Sequence, residues 1–323
     1  MNPGAKRYLL AAIATAFVVS YFSAHFNRYY LGLAIDIGIN IILAVSLNLI
    51  NGHTGQFSLG HAGFMAVGAY TAASMTWALN AAKVSPILGE IYFALALLMA
   101  GFVAAATGLA VGIPSLRLRG DYLAIVTLGF GEIIRVVLQT ADTQAKHFSG
   151  GLARMLEHMG GASGMMGIAT LTNFGWAWAL AAVTVFVVAA LVNSTYGRGF
   201  IAVHDDEIAA GAMGINPVRY KVTAFVIGAF FAGVAGGLYA HHKQFLSPSG
   251  FDFMKSIDIV VMVILGGMGR TAGVVIAAIL LTLLPEFLRG FADYRMIIYS
   301  LLIIGLMMAR PQGLFTWRKA GVK

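Results

Sequence analysis

The sequence predicts an all-α protein that crosses a membrane several times. Of its 323 residues, 59% are hydrophobic and only 11% are charged, and the mean hydropathy is +0.83. A water-soluble domain of this length does not expose so much apolar surface. The apolar residues also gather into runs of about 20 residues, the length of a helix that crosses a bilayer. In lipid every backbone polar group needs an internal partner, and helices provide it.

Ten apolar runs are candidates for spanning helices, so the sequence predicts about ten transmembrane segments in a single domain over residues 1–323. The first run is predicted to be retained, because no Ala-x-Ala cleavage site follows it. The eighth run is too short to cross unaided. In order, the runs are 8–22, 29–50, 56–79, 87–113, 121–139, 175–192, 220–241, 257–268, 272–287 and 295–308.

The basic residues predict an orientation. With the N-terminus in the cytoplasm, alternation places most of them on the cytoplasmic side, as membrane proteins favour. This orientation predicts a cytoplasmic segment at about 194–219 and an outward loop at about 140–174. The cytoplasmic group comprises Lys6, Arg7, Arg117, Arg119, Arg198–Lys221, Arg310, Arg318, Lys319 and Lys323, and the exceptions are Lys83, Lys146, Arg154, Lys243 and Arg289. The net charge of +8 therefore orients helices and implies no nucleic-acid partner.

Several enzyme classes are excluded. With 0 cysteines the chain has no disulfide, thiolate metal site or thiol nucleophile. Neither the phosphate-binding pattern G-x-x-x-x-G-K-[ST] nor the hydrolase pattern G-x-S-x-G occurs. His147 and His158 in the outward loop match no metal-ligand spacing, and the loop is predicted to be a glycine-rich connector with an amphipathic turn. We expect no catalytic residue, metal site or cofactor in this chain.

The polar segment 193–221 is the most informative feature of the chain. It lies between long apolar runs, and its acids Asp205, Asp206 and Glu207 are followed by alanines and then by Gly214 and Pro217. Acids favour the first turn of a helix, and glycine and proline end it. The sequence therefore predicts a short helix on the membrane surface that presents a docking face to a partner.

Glycine-rich stretches and isolated polar residues are our candidates for a pathway through the membrane. Glycine breaks expose backbone groups, which is tolerated at membrane depth only beside protein or a water-filled path. The alternative for each is helix packing, which small residues also favour, as for Ala62, Ala66, Ala69 and Ala73 or Gly233 and Gly237. The candidates are Asp36, Asn40, Gly52, Gly55, Gln56, Ser58, Gly60 and His61.

Glu132 and Arg135 lie at positions i and i+3 of a predicted span and are expected to neutralise each other. We interpret this pair as structural. A proton relay would need more titratable groups than Asp36, His61 and Glu132 supply, so proton-coupled transport has weak support.

Four blocks of sequence together resemble a known family. They are 48–70, 116–135, 196–221 and 265–289, and their order and content are similar to the LivM-type permease subunits of ATP-binding-cassette importers for branched-chain amino acids. The resemblance implies that Glu207, Ala209, Ala210 and Gly214, with Arg198, Asp205 and Asp206 beside them, form the cytoplasmic coupling helix that contacts the ATPase.

The same resemblance implies the partners of the chain. They are a LivH-type permease subunit, two ATPase subunits that hold ATP and Mg²⁺, a periplasmic substrate-binding protein and the lipid of the bacterial cytoplasmic (inner) membrane. The substrate is expected to be a branched-chain amino acid, with urea or a short amide as the alternative within the family. From another class, an ATP-independent secondary carrier or channel remains open.

Overall fold

The computed structural model describes residues 27–81, 84–115, 121–148, 150–291 and 294–309, with Gly313 and a few isolated positions between 9 and 20. Over these residues the protein is built of helices, apart from an isolated antiparallel bridge between Met165 and Leu246. The predicted first run, 8–22, lies largely outside the described residues. So do Lys6, Arg7, Lys83, Arg117, Arg119, Arg310, Arg318, Lys319 and Lys323.

The helices follow one another with short connections. In chain order they are α1 Arg28–Asn48, α2 His61–Ala78, α3 Pro86–Ser115, α4 Asp121–Gln139, α5 Ala141–Ala145, α6 Gly151–His158, α7 Phe174–Val192, α8 Thr195–Asp205, α9 Glu207–Ala212, α10 Pro217–Lys243, α11 Phe253–Gly266, α12 Thr271–Phe287 and α13 Arg295–Ala309. A π-helical turn, Leu49–His53, extends α1.

Six helices of the described residues are long and apolar enough to cross a membrane: α1, α3, α4, α7, α10 and α12. The all-helical, multi-pass prediction is confirmed, but the predicted number of about ten segments is not. Helix α2 has 18 residues, and its apolar positions are largely alanine and glycine. Helices α11 and α13 have only 14 and 15 residues, which is short for a hydrocarbon core of about 30 Å.

Helix α10 packs against α2 and α3 through small residues. A β-carbon on Gly233 would come 2.6 Å from the carbonyl oxygen of Ala100 in α3, and one on Gly237 would come 3.1 Å from the β-carbon of Ala72 in α2. Gly233 also contacts Gly68. The predicted alanine ridge Ala62, Ala66, Ala69 and Ala73 is at most 1% exposed. Small residues thus allow close backbone approach, as predicted, because lipid supplies no hydrophobic force between helices.

Two helices are broken within the bundle. The chain leaves the π-helical turn at His53, runs without helix through residues 54–60, and resumes as α2 at His61. Helix α11 begins directly after the 3₁₀ turn Pro248–Phe251 and ends at Gly267, whose φ is +91°. These breaks bring non-helical backbone among the spans, where side chains must satisfy it.

Candidate functional site

Side chains hold the non-helical segment 54–60 in place. Asn51 accepts a hydrogen bond from the Ser58 N–H at 3.2 Å and donates to the Ser58 carbonyl at 3.4 Å. The Leu59 N–H donates to Thr127 Oγ1 of α4 at 3.0 Å. The backbone groups freed by the helix break are therefore partly satisfied within the chain.

The first turns of α2 and α11 meet at the end of this segment. The Ala62 N–H donates to Ser256 Oγ at 3.2 Å. Asp252 caps α11 by accepting from the Lys255 N–H at 3.0 Å. A small cavity lies between these turns and α4, and Gly131 and Glu132 of α4 line it. Two broken helices thus begin beside one small cavity, which we call the helix-break junction.

Polar side chains of the non-helical segment and of the first residue of α2 are buried. Gln56, Ser58 and His61 are 3%, 0% and 0% exposed. His61 Nε2 lies 2.9 Å from Ser46 Oγ. Among the described residues, Gln56 Oε1, Ser58 Oγ and His61 Nδ1 have no hydrogen-bond partner. Such atoms are costly without water or a ligand, so this stretch differs from an ordinary packed core.

The predicted pathway residues fall into two places. Gly52, Gln56, Ser58, Gly60 and His61 are buried within this chain, and Gly55 is exposed next to His204. The remaining two candidates lie elsewhere on α1. Asp36 Oδ2 accepts from Lys243 Nζ at 2.9 Å and lies near His242, while Asn40 donates to Thr282 Oγ1 of α12 at 2.9 Å. The structure does not bring the two groups together.

Glu132 and Arg135 form an ion pair on α4, with Arg135 Nε 2.6 Å from Glu132 Oε2. The two side chains are 34% and 26% exposed. In a spanning helix, partly exposed charges face water or another protein more readily than lipid. Helix α4 also exposes Ile125, Ile133 and Val136, so one side of it has no cover within this chain.

The polar segment contains two helices. Helix α9 occupies the place predicted for a short helix, and α8 precedes it. Asp206 caps α9 by accepting from the N–H groups of Ile208 and Ala209 at 2.8 and 3.0 Å. Gly214, with φ +83°, follows α9, and Pro217 begins α10. Acid, glycine and proline thus have the positions that the sequence predicts for them.

This segment is firmly attached to α10. The rings of Tyr196 and Tyr220 stack with centroids 4.5 Å apart, and Phe200 meets Tyr220 edge-on at 5.7 Å. Lys221 donates a hydrogen bond to Glu207, and the two side chains are 14% and 27% exposed. A force on α8 or α9 therefore acts directly on the start of α10.

The outer side of the segment is exposed and partly apolar. Ile208 and Met213 are 70% and 83% exposed, and Ala210 is buried. Arg198, Asp205, Asp206, Ala209 and Gly214 are also exposed, whereas Glu207 is half-buried. Large apolar side chains exposed outside the spans indicate a contact surface for another protein. We call Ile208, Met213 and the acids beside them the α9 face.

At the other end of the bundle, the loop 140–173 contributes to a cavity of about 180 Å³. Trp77 of α2 stacks on His158 of α6, with ring centroids 4.2 Å apart and an interplanar angle of 18°. Partial burial lowers the pKa of His158. Among the described residues, no group of His, Asp and Glu side chains comes together as a metal site.

Sequence reasoning missed the charges on α11. Lys255 and Asp258 lie within a short helix, and Asp258 is exposed. The predicted run, 257–268, left out Lys255 as part of a charged flank, and it contained Asp258 without that charge being singled out. The spacing i, i+3 of two opposite charges inside a helix was the available signal.

Comparison with known proteins places the chain. The sequence profile described as branched-chain amino acid transport system / permease component matches residues 29–309. The chain is 36% identical to the high-affinity branched-chain amino acid transport system permease protein LivM of Salmonella typhimurium, over 98% of this chain and 75% of that protein. The corresponding Escherichia coli protein is also 36% identical, with the same coverage.

A shorter part of the chain resembles a second permease. It is 28% identical to the LivH permease protein of the same Escherichia coli system, over 42% of this chain and 43% of that protein. No solved structure gives a significant match. The profile match over residues 29–309 and the LivM identities show that the chain belongs to the family of permease components of branched-chain amino acid transport systems.

Proposed function

We propose that this chain is the LivM-type permease subunit of an ATP-driven importer, and that branched-chain amino acids cross the membrane along it. The family and the six apolar spans support a transport role in a membrane. The location is the bacterial cytoplasmic membrane, and the substrate arrives on a periplasmic binding protein. Because the chain has no phosphate-binding pattern, ATP and Mg²⁺ bind to two partner ATPase subunits.

The α9 face carries this proposal. It exposes Ile208 and Met213 outside the spans, beside the acids Asp205 and Asp206. An apolar centre with a charged rim is the usual composition of a protein interface. The ATPase subunit is the partner that this face fits, because the face lies on the short surface helix that the family resemblance assigns to coupling.

The structure offers a route for the motion. Tyr220 and Lys221 attach α8 and α9 to the first turns of α10, a helix of 27 residues. At 1.5 Å per residue α10 is about 40 Å long, so it reaches across the bilayer. Its last residue, Lys243, lies at the end of α10 away from the α9 face and pairs with Asp36 of α1. Closure of the ATPases would tilt α10 as a rigid lever and change both ends together.

A second permease subunit completes the path. Most of helix α4 is not buried in this chain, and its partly exposed side carries the Glu132–Arg135 pair. A LivH-type subunit covers this side, since the chain also resembles LivH and charged groups avoid lipid. The remaining open faces contact membrane lipid.

The test is uptake of radiolabelled leucine into proteoliposomes that contain the purified complex and its binding protein. In the variant Ile208→Asp/Met213→Asp, we expect the ATPases to dissociate during purification and ATP-driven uptake to disappear. The matched control is Met166→Asp, which places the same charge on an exposed methionine of the opposite end. That variant should retain the ATPases.

The outcomes separate the alternatives. Leucine uptake without ATP or ATPases would show a secondary carrier or channel and overturn the proposal. ATP-driven uptake of urea or a short amide, with no uptake of leucine, would keep the importer mechanism and change its substrate. Retention of the ATPases by the double variant would remove the α9 face from the coupling contact.

A further inference from the structure

Helix α11 is a short helix that carries two opposite charges, Lys255 and Asp258, in its first turns. Its far end lies beside the end of α1, because the Gly269 N–H donates to Asn48 Oδ1 at 2.9 Å. At 1.5 Å per residue, Asp258 is about 12 Å and Lys255 about 17 Å from Gly266. Lys255 is within electrostatic reach of Asp36 and Lys243, the pair at the last residue of α10, so the first turns of α11 lie toward that end of the bundle.

The two sides of α11 differ. One side, with Ser256, Ile259 and Val263, is buried against the other helices. On the other side Met254 is 64% exposed, Asp258 is exposed and Lys255 is partly exposed. We call Met254, Lys255 and Asp258 the α11 face. Met254 and Lys255 lie four and three residues before Asp258, so each is a neighbour of Asp258 on the helix surface.

Lipid does not suit the α11 face. A carboxylate on a helix among the membrane spans requires water, a cation or another polar partner. Lys255 and Asp258 attract each other electrostatically, and Asp36, Asp252 and Lys243 also act on Lys255. Within the described part of the chain, neither Lys255 nor Asp258 is in an ion pair within 4 Å. Both charges are therefore available to a ligand that brings one charge of each sign.

We propose that the α11 face binds the transported amino acid as a zwitterion within the transport path. Lys255 holds the α-carboxylate, Asp258 holds the α-ammonium group, and Met254 contacts the aliphatic side chain. This inference rests on the proposed function and adds the residues that recognise the substrate inside the path.

The neighbouring groups fit this assignment. Glu132 and Arg135 of α4 line or flank the helix-break junction but are paired with each other, so they do not compete for the ligand. Asp36 is likewise paired with Lys243. Ser256 is already engaged by the first turn of α2. Because the ligand replaces the attraction between Lys255 and Asp258 with two contacts of its own, binding is weak and release is easy.

The first test asks whether the α11 face meets water. Because the chain has 0 cysteines, a single introduced cysteine can be followed without background in this subunit. In the assembled complex, Met254→Cys and Asp258→Cys should react with a charged, membrane-impermeant methanethiosulfonate, read by mass on this chain. Leu98→Cys is the control, since Leu98 is 50% exposed on an apolar face of α3 and should not react.

Ligand should change that reaction. When leucine-loaded binding protein and ATP are added, we expect labelling at position 254, where both charged contacts remain, to slow by at least about threefold, whereas unloaded binding protein should have little effect. The absence of labelling at both 254 and 258, or labelling at 254 that leucine does not slow, would overturn the proposal.

The second test concerns the charges. Lys255→Gln and Asp258→Asn should each reduce leucine transported per ATP hydrolysed by at least about tenfold, the effect of one charge-assisted contact. Lys255→Arg and Asp258→Glu keep the charge and should restore much of the uptake, which a purely structural role would not require. Wild-type uptake by both neutral variants would contradict the assignment.

The two proposals fail in different ways. If the native complex takes up no leucine with ATP, the proposed function fails, and the labelling pattern no longer concerns leucine transport. If the native complex transports leucine and α9-face variants lose the ATPases, but the α11 variants transport normally, only the inference about α11 is wrong.

Discussion

The backbone of Gly55 lies directly against the ring of His204, and a β-carbon on Gly55 would come 2.8 Å from His204 Cδ2. Gly55 belongs to the non-helical segment between α1 and α2, and His204 is near the end of α8. The segment that we assign to coupling therefore contacts the non-helical backbone of the bundle. A movement of α8 therefore acts on residues 54–60 through the ring of His204.

Replacing Gly55 with alanine should disturb this contact. Its φ of +67° is unfavourable for a residue with a β-carbon, by about 1–2 kcal/mol, and the methyl group would also press on His204. We expect a lower midpoint of thermal aggregation for the purified complex and reduced ATP-driven uptake.

Two further variants separate these causes. Gly250→Ala is the control, because Gly250 has open space around its β-position and no positive φ. Gly55→Ala/His204→Ser relieves the contact with the ring but keeps the backbone strain, so it should recover part of the loss. Normal stability and uptake in Gly55→Ala would show that the contact has no mechanical role.

The ion pair between Glu207 and Lys221 should fix α9 to α10. Both side chains are mostly buried, so Lys221→Gln leaves a poorly solvated carboxylate and should cost about 1–3 kcal/mol. We expect retention of the ATPases to fall. The exchanged pair Glu207→Lys/Lys221→Glu restores opposite charges and should recover retention, measured as the ratio of ATPase to permease after affinity purification. Failure of the exchange to recover it would mean that the ATPase contacts Glu207 itself.

Much of the fold was predictable because hydropathy reports burial in lipid directly. The runs that became α1, α3, α4, α7, α10 and α12 were identified with nearly correct bounds. The start of α2 was not, since the predicted run began at residue 56 and the helix begins at His61. Residues 56–60 are apolar enough to continue a helix, but Asn51 and Thr127 hold them in a non-helical conformation. Hydropathy alone contains no information about those partners.

The site was predictable where local chemistry decides the conformation. Asp206, Gly214 and Pro217 delimit α9 through capping and turn preferences that act within a few residues. The position of Asp36 could not be read in the same way. Its ion partner Lys243 is 207 residues away, and only the packing of α1 against α10 brings them together.

The close packing of α10 predicts a contrast between two glycines. A β-carbon on Gly233 would come 2.6 Å from the Ala100 carbonyl, whereas Gly305 of α13 has no heavy atom within 4 Å of its β-position. Gly233→Ala should therefore destabilise the protein by about 1–3 kcal/mol through overpacking. Gly305→Ala should be neutral or slightly stabilising, because alanine favours a helix by up to about 1 kcal/mol. Thermal aggregation midpoints of the two purified variants would test this, and equal midpoints would contradict the packing described.

Acid should weaken the stack of His158 on Trp77. Partial burial lowers the pKa of His158 in the folded protein, so between its folded and unfolded pKa values the unfolded chain binds more protons. The contribution of the neutral ring is complete above the unfolded value of about 6.5 and is lost as the pH falls through the lower, folded value. We expect the thermal midpoint to fall more steeply between pH 7.5 and pH 5 in the native protein than in His158→Gln, since glutamine does not titrate.

The fluorescence of Trp77, obtained as the difference from Trp77→Phe, should change over the same range, because a protonated ring stacked at 4.2 Å quenches indole emission. Parallel pH profiles for the native protein and His158→Gln would show that the pH dependence arises elsewhere.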